Sequence, residues 1–340
     1  MTRRAFLILC VLTALTIAAA SLAQLHERRG DRLKLSGERV FPALSARLSE
    51  VHSIAIKSAK AQFVLKRREN DAWVAASQHG YPVKSERVNR VLVALAELEI
   101  IAPKTARSEL YRRIGVGQPD ADSARSRQIT LKTKSGRVLA DLIAGQQRHA
   151  RTGRRDSGTY IRRPGEARAY LAAGLLDLSD TIYPWLQTRI VDIAPSQIRR
   201  VAIHPRNGKR LLAIRPERGA PAMGIADLPP GARPQVEAVR ELAHVLEGVR
   251  FDTVEPLEKA RLAAPLAKAR ISTFDGLRVS VNVYRRLNAY WLTFDAAAAQ
   301  EAPQSTIARA ETLKARTAGW AYKVADYLGE RFSQSLDSIL

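Results

Sequence analysis

From Val51 to Ser77 apolar and polar residues alternate with a period of two, the mark of strands buried on one face. Ile54 and Ile56 share one face, and Phe63 and Leu65 share another. Ser58-Ala59-Lys60 and Glu69-Asn70-Asp71 punctuate the run as turns. The spacing predicts a three-strand meander with Trp73 filling its core. A short amphipathic lead-in carrying Phe41, Leu44 and Leu48 precedes it. After Pro82 the period changes. Val88, Val91, Leu92, Leu95 and Leu98 fall on one helical stripe, with Ser85 as the expected cap and Glu86 in the first turn. Such a stripe is expected to lie on the sheet. Period two returns from Arg127: Ile129 and Leu131, then Val138 and Leu142, flank the Ser135-Gly136 turn. Residues 146–158 have no periodicity and read as a basic loop. A strand, a Pro164-Gly165 turn and a second strand follow, and a short helical segment around Trp185 closes the half.

The second half repeats the plan. Val201 and Ile203, an Asn207-Gly208 turn, then Leu212 and Ile214 read as a hairpin. Pro234 stands where a first helical residue belongs, ahead of an apolar stripe of Val236, Val239, Leu242, Val245, Leu246 and Val249. Residues 269–295 form another meander, with Asp275-Gly276 and Leu287-Asn288 as turns. A final helix lies within 317–336. Ile54 aligns on Val201, Val88 on Val236, Leu98 on Leu246 and Ile129 on Ile271, with loop-sized drift in the offset. The order of elements and these blocks together predict an internal duplication.

Residues 5–23 carry no charge. As a helix these 19 residues would span roughly 28 Å, about the thickness of a bilayer core. The run is longer than a usual signal-peptide core, so an uncleaved signal anchor is favoured over a cleaved one, although Ser21-Leu22-Ala23 offers a peptidase small residues. Arg3 and Arg4 place the N-terminus inside, against the weaker pull of Arg28, Arg29, Arg32 and Lys34 behind the run. Residues 30–340 are therefore expected outside the cytoplasm, which in a bacterium is the periplasm. The one cysteine, Cys10, lies within this run. The remainder has neither disulfides nor thiolate metal sites, which suits an oxidising compartment.

The net charge of +22, from 55 basic and 33 acidic residues, implies attraction to polyanions. Its plainer reading is a soluble protein with solvated arginine-rich faces. The expected compartment excludes nucleic acid. Arg148, Arg151, Arg154, Arg155, Arg162 and Arg163, against Asp156 alone, form the candidate anionic contact surface. Phosphate-loop, dinucleotide, zinc-protease, nucleophile-elbow and penicillin-binding signatures are all absent. The six histidines are widely dispersed and form no ligand pair at helical spacing. No catalytic residue, metal or cofactor is expected.

The stretches "VFPALSARLSEVHSIAI", "GYPVKSERVNRVLVALAELEIIAPKT", "ELYRRIGV" and "GTYIRRPGEARAYLAAGLLDL" resemble the bacterial family called domain of unknown function 4340. The resemblance covers about residues 40–330 and is looser in the second half. It implies one N-terminal span and an extracytoplasmic α+β region, and it brings no catalytic residues. Some members are similar to soluble parts of auxiliary subunits of gliding-motility-type ABC transporters, which implies an accessory or scaffold role near a transporter. No second, C-terminal apolar run is present to complete a two-span auxiliary subunit.

The expected architecture is α+β: an N-terminal transmembrane helix, then two duplicated units of antiparallel β-meander, each with a covering helix. Residues 1–4 are cytoplasmic, 5–23 the signal anchor, 24–39 a linker, 40–194 the first repeat and 195–340 the second. The expected function is a periplasmic accessory protein of the inner membrane that binds a protein partner in an ABC-type transporter or envelope complex. The alternative is a binding module for anionic lipid or envelope polymer, and an unrecognised hydrolase ranks below both.

Overall fold

A computed structural model describes residues 37–121, 125–149 and 157–340. The anchor expected at 5–23 and its flanks lie outside these. No described helix is long and apolar enough to cross a membrane. The chain divides into two compact units between Leu186 and Gln187, each built on one mostly antiparallel sheet.

The first unit opens with the expected meander, β1 (Ser53–Ser58), β2 (Gln62–Arg67) and β3 (Trp73–Ala75), followed by β4 (Tyr81–Pro82). Ile54, Ile56, Phe63, Leu65 and Trp73 are all buried. Helix α1 (Ser85–Ala96) buries Val88, Val91, Leu92 and Leu95, as the stripe requires. Ser85 does not cap it. Lys84 is the capping residue and makes no side-chain cap, and its N–H is taken by Trp185 O at 2.8 Å. Then come β5 (Glu99–Pro103), β6 (Arg127–Lys132), β7 (Val138–Arg148), β8 (Gly158–Arg162) and β9 (Ala169–Ala173). Val138, expected inside, is half exposed at the start of β7, where the register with β6 shifts, and Leu142 is buried. Strand order is β4-β3-β2-β1-β6-β7-β8-β9-β5.

The second unit starts earlier than expected, because β10 (Arg189–Val191) pairs with β14 (Val249–Arg250) and so leaves the 40–194 segment. Its main sheet contains β11 (Ile198–Pro205), β12 (Leu211–Ile214), β13 (Gly224–Ile225), β15 (Thr253–Pro256), β16 (Ala267–Thr273), β17 (Leu277–Arg286), β18 (Ala289–Ala298) and β19 (Trp320–Val324). Their order is β13-β12-β11-β16-β17-β18-β19-β15. Apart from the extra edge strand β4, this is the strand order of the first unit. Ile54 pairs with Leu131, and Val201 with Ile271. By register Ile271 therefore corresponds to Leu131, not to Ile129 as the sequence alignment had it.

Three helices belong to this unit: α2 (Val236–Ala243), α3 (Gln304–Thr317) and α4 (Asp326–Ser333). Pro234 lies outside α2, whose capping residue is Gln235, and Val236 is 83% exposed rather than part of the buried face. Val239, Leu242, Val245, Leu246 and Val249 are buried. The cover of this sheet is not α2 alone: α3 packs on β18 and β17, and α4 on β11 and β16–β18. Neither α3 nor β19 was anticipated. The buried positions of α3 are Thr306, Ala310, Leu313 and Thr317, too small and polar to show as an apolar stripe.

The two expected turns behave differently. Leu287 and Asn288 both take positive φ, as a two-residue hairpin of inverse twist demands, and join Arg286 to Ala289 directly. Asn207-Gly208 sits instead in a longer loop. Leu336 N–H bonds to Lys209 O at 3.1 Å, and Gly208 lies close to Ser335, so the C-terminal segment holds that loop open.

Asp275 ties the β16–β17 turn to α3. It accepts hydrogen bonds from the hydroxyls of Thr273 and Thr306 and pairs with Arg309 at 3.3 Å. Partial burial works to raise its pKa. The Thr273 bond, the Arg309 charge and the Thr306 bond outweigh this and hold it below the ordinary carboxylate value. A carboxylate depressed in the folded state stabilises above its unfolded pKa, and that stability is lost as pH falls through the folded one. Acid titration should therefore loosen α3, and Asp275→Asn should flatten that acid dependence. Amide exchange of α3 between neutral and acidic pH reads it, and an Asn variant as acid-sensitive as the parent would refute it.

Candidate functional site

The arginines singled out from sequence fall into three groups. Arg148 is exposed at the end of β7, so it belongs to a strand and not to a loop. Arg151, Arg154 and Arg155 lie outside the described residues. Arg162 and Arg163 do not join an exposed surface. Arg162, the last residue of β8, is 4% exposed; its Nε donates to Val116 O at 2.9 Å and its Nη1 to Glu166 O at 3.1 Å, and its guanidinium lies 4.7 Å from the Tyr111 ring centre. Arg163 Nη2 donates to Val40 O at 2.7 Å, and its Nη1 pairs with Glu166. A strand places alternate side chains on opposite faces, and at β8 both faces are covered, so a charge run in sequence became internal bracing. Replacing Arg162 with Leu should destabilise the chain by about 1–2 kcal/mol by orphaning two carbonyls. A denaturation midpoint matching the parent's would contradict this bracing role.

A different basic site is built beside it. Residues Ser108–Ile114 form two short helical turns ended by Gly115 at φ +69°, a left-handed stop that glycine adopts freely. Gly145 in β7 lets this backbone lie directly on the strand, because a Cβ there would meet Ile114 O and Gly115 O. Val116, Ile143 and Ala169 form the small core beneath, with Tyr111 and Ile114 packed on it. Above it opens a cavity of about 710 Å³ lined by Arg112, Arg113, Arg125, Ser126, Gln118 and Gln146, among others. Arg112, Arg113 and Arg125 are exposed and make no ion pair among the described residues. The nearby acids are engaged elsewhere. Asp120 is held by Lys57 at 2.9 Å, and that hydrogen bond is the main cause lowering its pKa. Partial burial works to raise the pKa of Asp180, but Arg127 and Lys60 outweigh it and hold the group ionised. Ser126 is buried and its Oγ has no partner among the described residues. Sequence reading passed over these arginines because they are dispersed across the helical turns and the start of β6, and only the Gly115–Gly145 contact gathers them.

A second concavity, of about 900 Å³, lies in the other unit between α2 and the 219–228 segment that includes β13. Met223, Ile225, Leu228, Val236 and Val239 supply apolar walls. Arg215, just beyond β12, also lines it although only 6% exposed. Its Nη1 donates to Pro195 O at 3.0 Å, and its Nε has no partner among the described residues.

Much of the arginine surplus serves packing. Arg286 lies 3.9 Å from the Trp291 ring centre, forks onto Glu255 and donates to Ala260 O. Arg87 stacks on Trp185, and Arg285 on Tyr290. Among the described residues no three His, Cys, Asp or Glu side chains gather as a metal site.

No curated protein and no solved structure matches the chain. A family model does, over residues 73–267, from Trp73 in β3 through Ala267 at the start of β16, more than half of the 340 residues. The matched region contains the α1 stripe, the Ser108–Ile114 turns with their arginines and the 219–228 segment with α2. By that match the chain belongs to the family described as Domain of unknown function (DUF4340).

Proposed function

We propose that the chain is a membrane-anchored, extracytoplasmic accessory protein made of two copies of one α+β unit. It acts by binding a protein partner in an ABC-type transporter or other envelope complex. The uncharged run at 5–23 supports the anchor. The common strand order of the two sheets, with corresponding strands in the same sequence order, supports the duplication. On this reading the copies keep their sheets and differ in their surfaces: a basic cavity in the first, an apolar cleft in the second.

The observation that carries the partner reading is the convergence of Arg112, Arg113 and Arg125 on one cavity without acids among the described residues to neutralise them. Such a surface complements an acidic protein face, and its pairing should weaken with salt. Crosslinking in membranes followed by gentle pull-down of the full chain tests it. A specific partner should be recovered from the parent and lost from Arg112→Glu/Arg113→Glu. Recovery of the chain alone would remove the reading. Salt-sensitive binding to anionic vesicles or cell-wall polymer, lost from the same variant and without a protein partner, would replace it with the anionic-polymer reading.

A further inference from the structure

We propose that the cleft of the second unit binds an amphiphilic anion of the fatty-acid kind, with its carboxylate on Arg215 and its acyl chain along Met223, Ile225, Leu228, Val236 and Val239. This goes beyond the accessory reading and does not rest on it.

The argument begins with charge. Arginine stays protonated in proteins, so Arg215 is a buried cation. Burying a guanidinium away from water is costly unless a carboxylate or several acceptors compensate it. Arg215 has one carbonyl, Pro195 O, and an unpartnered Nε. No Asp or Glu lines the cleft. The other cationic groups there are answered from outside it: Arg240 pairs with Glu237, and His244 Nδ1 lies 2.6 Å from Glu247 Oε2. Arg215 is thus the cation left without an acid, and it sits where a ligand can supply one.

The walls define the rest of the ligand. They are aliphatic, and Val236 is 83% exposed, an unusual cost for an isolated valine on a helix. The volume falls within the range of about 300–1,000 Å³ typical of small-molecule sites. Pro195, Pro221 and Pro234 lack N–H donors, and the edge strand β13 is only two residues long. The cleft therefore offers a peptide backbone little to pair with, which favours an acyl chain over strand addition by a peptide. A flexible chain needs apolar walls and one anchored end, and both are present.

The test uses the full chain in nanodiscs with a photoactivatable C16 fatty acid, and the matching C16 alcohol as the neutral probe. Labelled peptides are mapped by mass spectrometry. The acid should label residues 219–228 and 236–243 at least tenfold more than the alcohol. Arg215→Gln should erase that difference, and Val239→Trp should block labelling by filling the cleft while leaving Arg215 in place. If Arg215→Gln fails to fold, the Val239→Trp result and the acid-to-alcohol ratio decide. Equal labelling by both probes, labelling that Val239→Trp does not change, or labelling confined to other surfaces would overturn the proposal. So would displacement of the acid only by peptides bearing a free C-terminal carboxylate and not by unlabelled fatty acid, since that would make the cleft a peptide site. The partner pull-down is a separate readout, so loss of either result leaves the other standing.

Discussion

Trp185→Ala should destabilise the chain by about 3–5 kcal/mol, the usual cost of emptying a large aromatic site. Trp185 is fully buried in a 3-10 turn at residues 183–185. Its ring centre lies 6.3 Å from that of Phe63 in β2 and 4.9 Å from the Arg87 guanidinium on α1. Its carbonyl takes the Lys84 N–H at the start of α1, and Leu186 forms a bridge with Val83. One side chain thus joins the closing segment, the helix and the meander. Its indole Nε1 has no hydrogen-bond partner among the described residues, so shape and area do the work rather than polarity. Trp185→Phe should consequently lose clearly less than Trp185→Ala. Urea unfolding followed by circular dichroism measures the loss, and hydrogen exchange locates it. Exchange should accelerate in α1 and β1–β3 and stay unchanged in β16–β18. A midpoint within error of the parent would show that the site collapses without cost.

Gly329→Ala reverses the ordinary expectation for a glycine inside a helix. Propensity alone predicts a gain of roughly 1 kcal/mol for alanine. Gly329, however, lies on the buried face of α4 between Leu328 and Phe332, and an added Cβ would fall on the ring and Cβ of Tyr290. Tyr290 cannot easily give way, since it is buried on β18 and paired with Val324 across to β19. The helix must move instead, and it carries Phe332, which stands edge-on to Phe294 at 6.3 Å. Overpacking of this kind costs typically 1–3 kcal/mol, so a net loss of about 2 kcal/mol is expected, with a larger loss for Gly329→Val. The loss should also be non-additive with Tyr290→Ala, because the two positions share one contact. A raised melting temperature for Gly329→Ala would mean that propensity wins and that α4 has room to shift.

The alternation around Ile54, Ile56, Phe63 and Leu65 was sufficient to read the first meander, and the Val88–Leu98 stripe sufficient to read α1. These features are local, since one face of each element must be apolar if it is to be buried at all. The same logic failed on α3, whose buried face is threonine and alanine. It failed at Val236 too, where the stripe continues in sequence while the helix turns that residue outward. For the sites it was weaker still. A run of arginines near 148–163 was legible, but whether each points to solvent depends on which faces of β8 are covered, and Arg162 is claimed by the carbonyls of Val116 and Glu166.

The amino-acid sequence by itself determined the class of the fold, the family, the two-part plan and the basic charge, because periodicity and composition are properties of neighbouring residues. Only the tertiary structure decided the strand order shared by the two sheets, the gathering of Arg112, Arg113 and Arg125 over the Gly115–Gly145 contact, and the isolation of Arg215 beside an apolar cleft. Those outcomes turn on which distant groups compete for the same space and the same hydrogen bonds. That competition is resolved only when the chain packs.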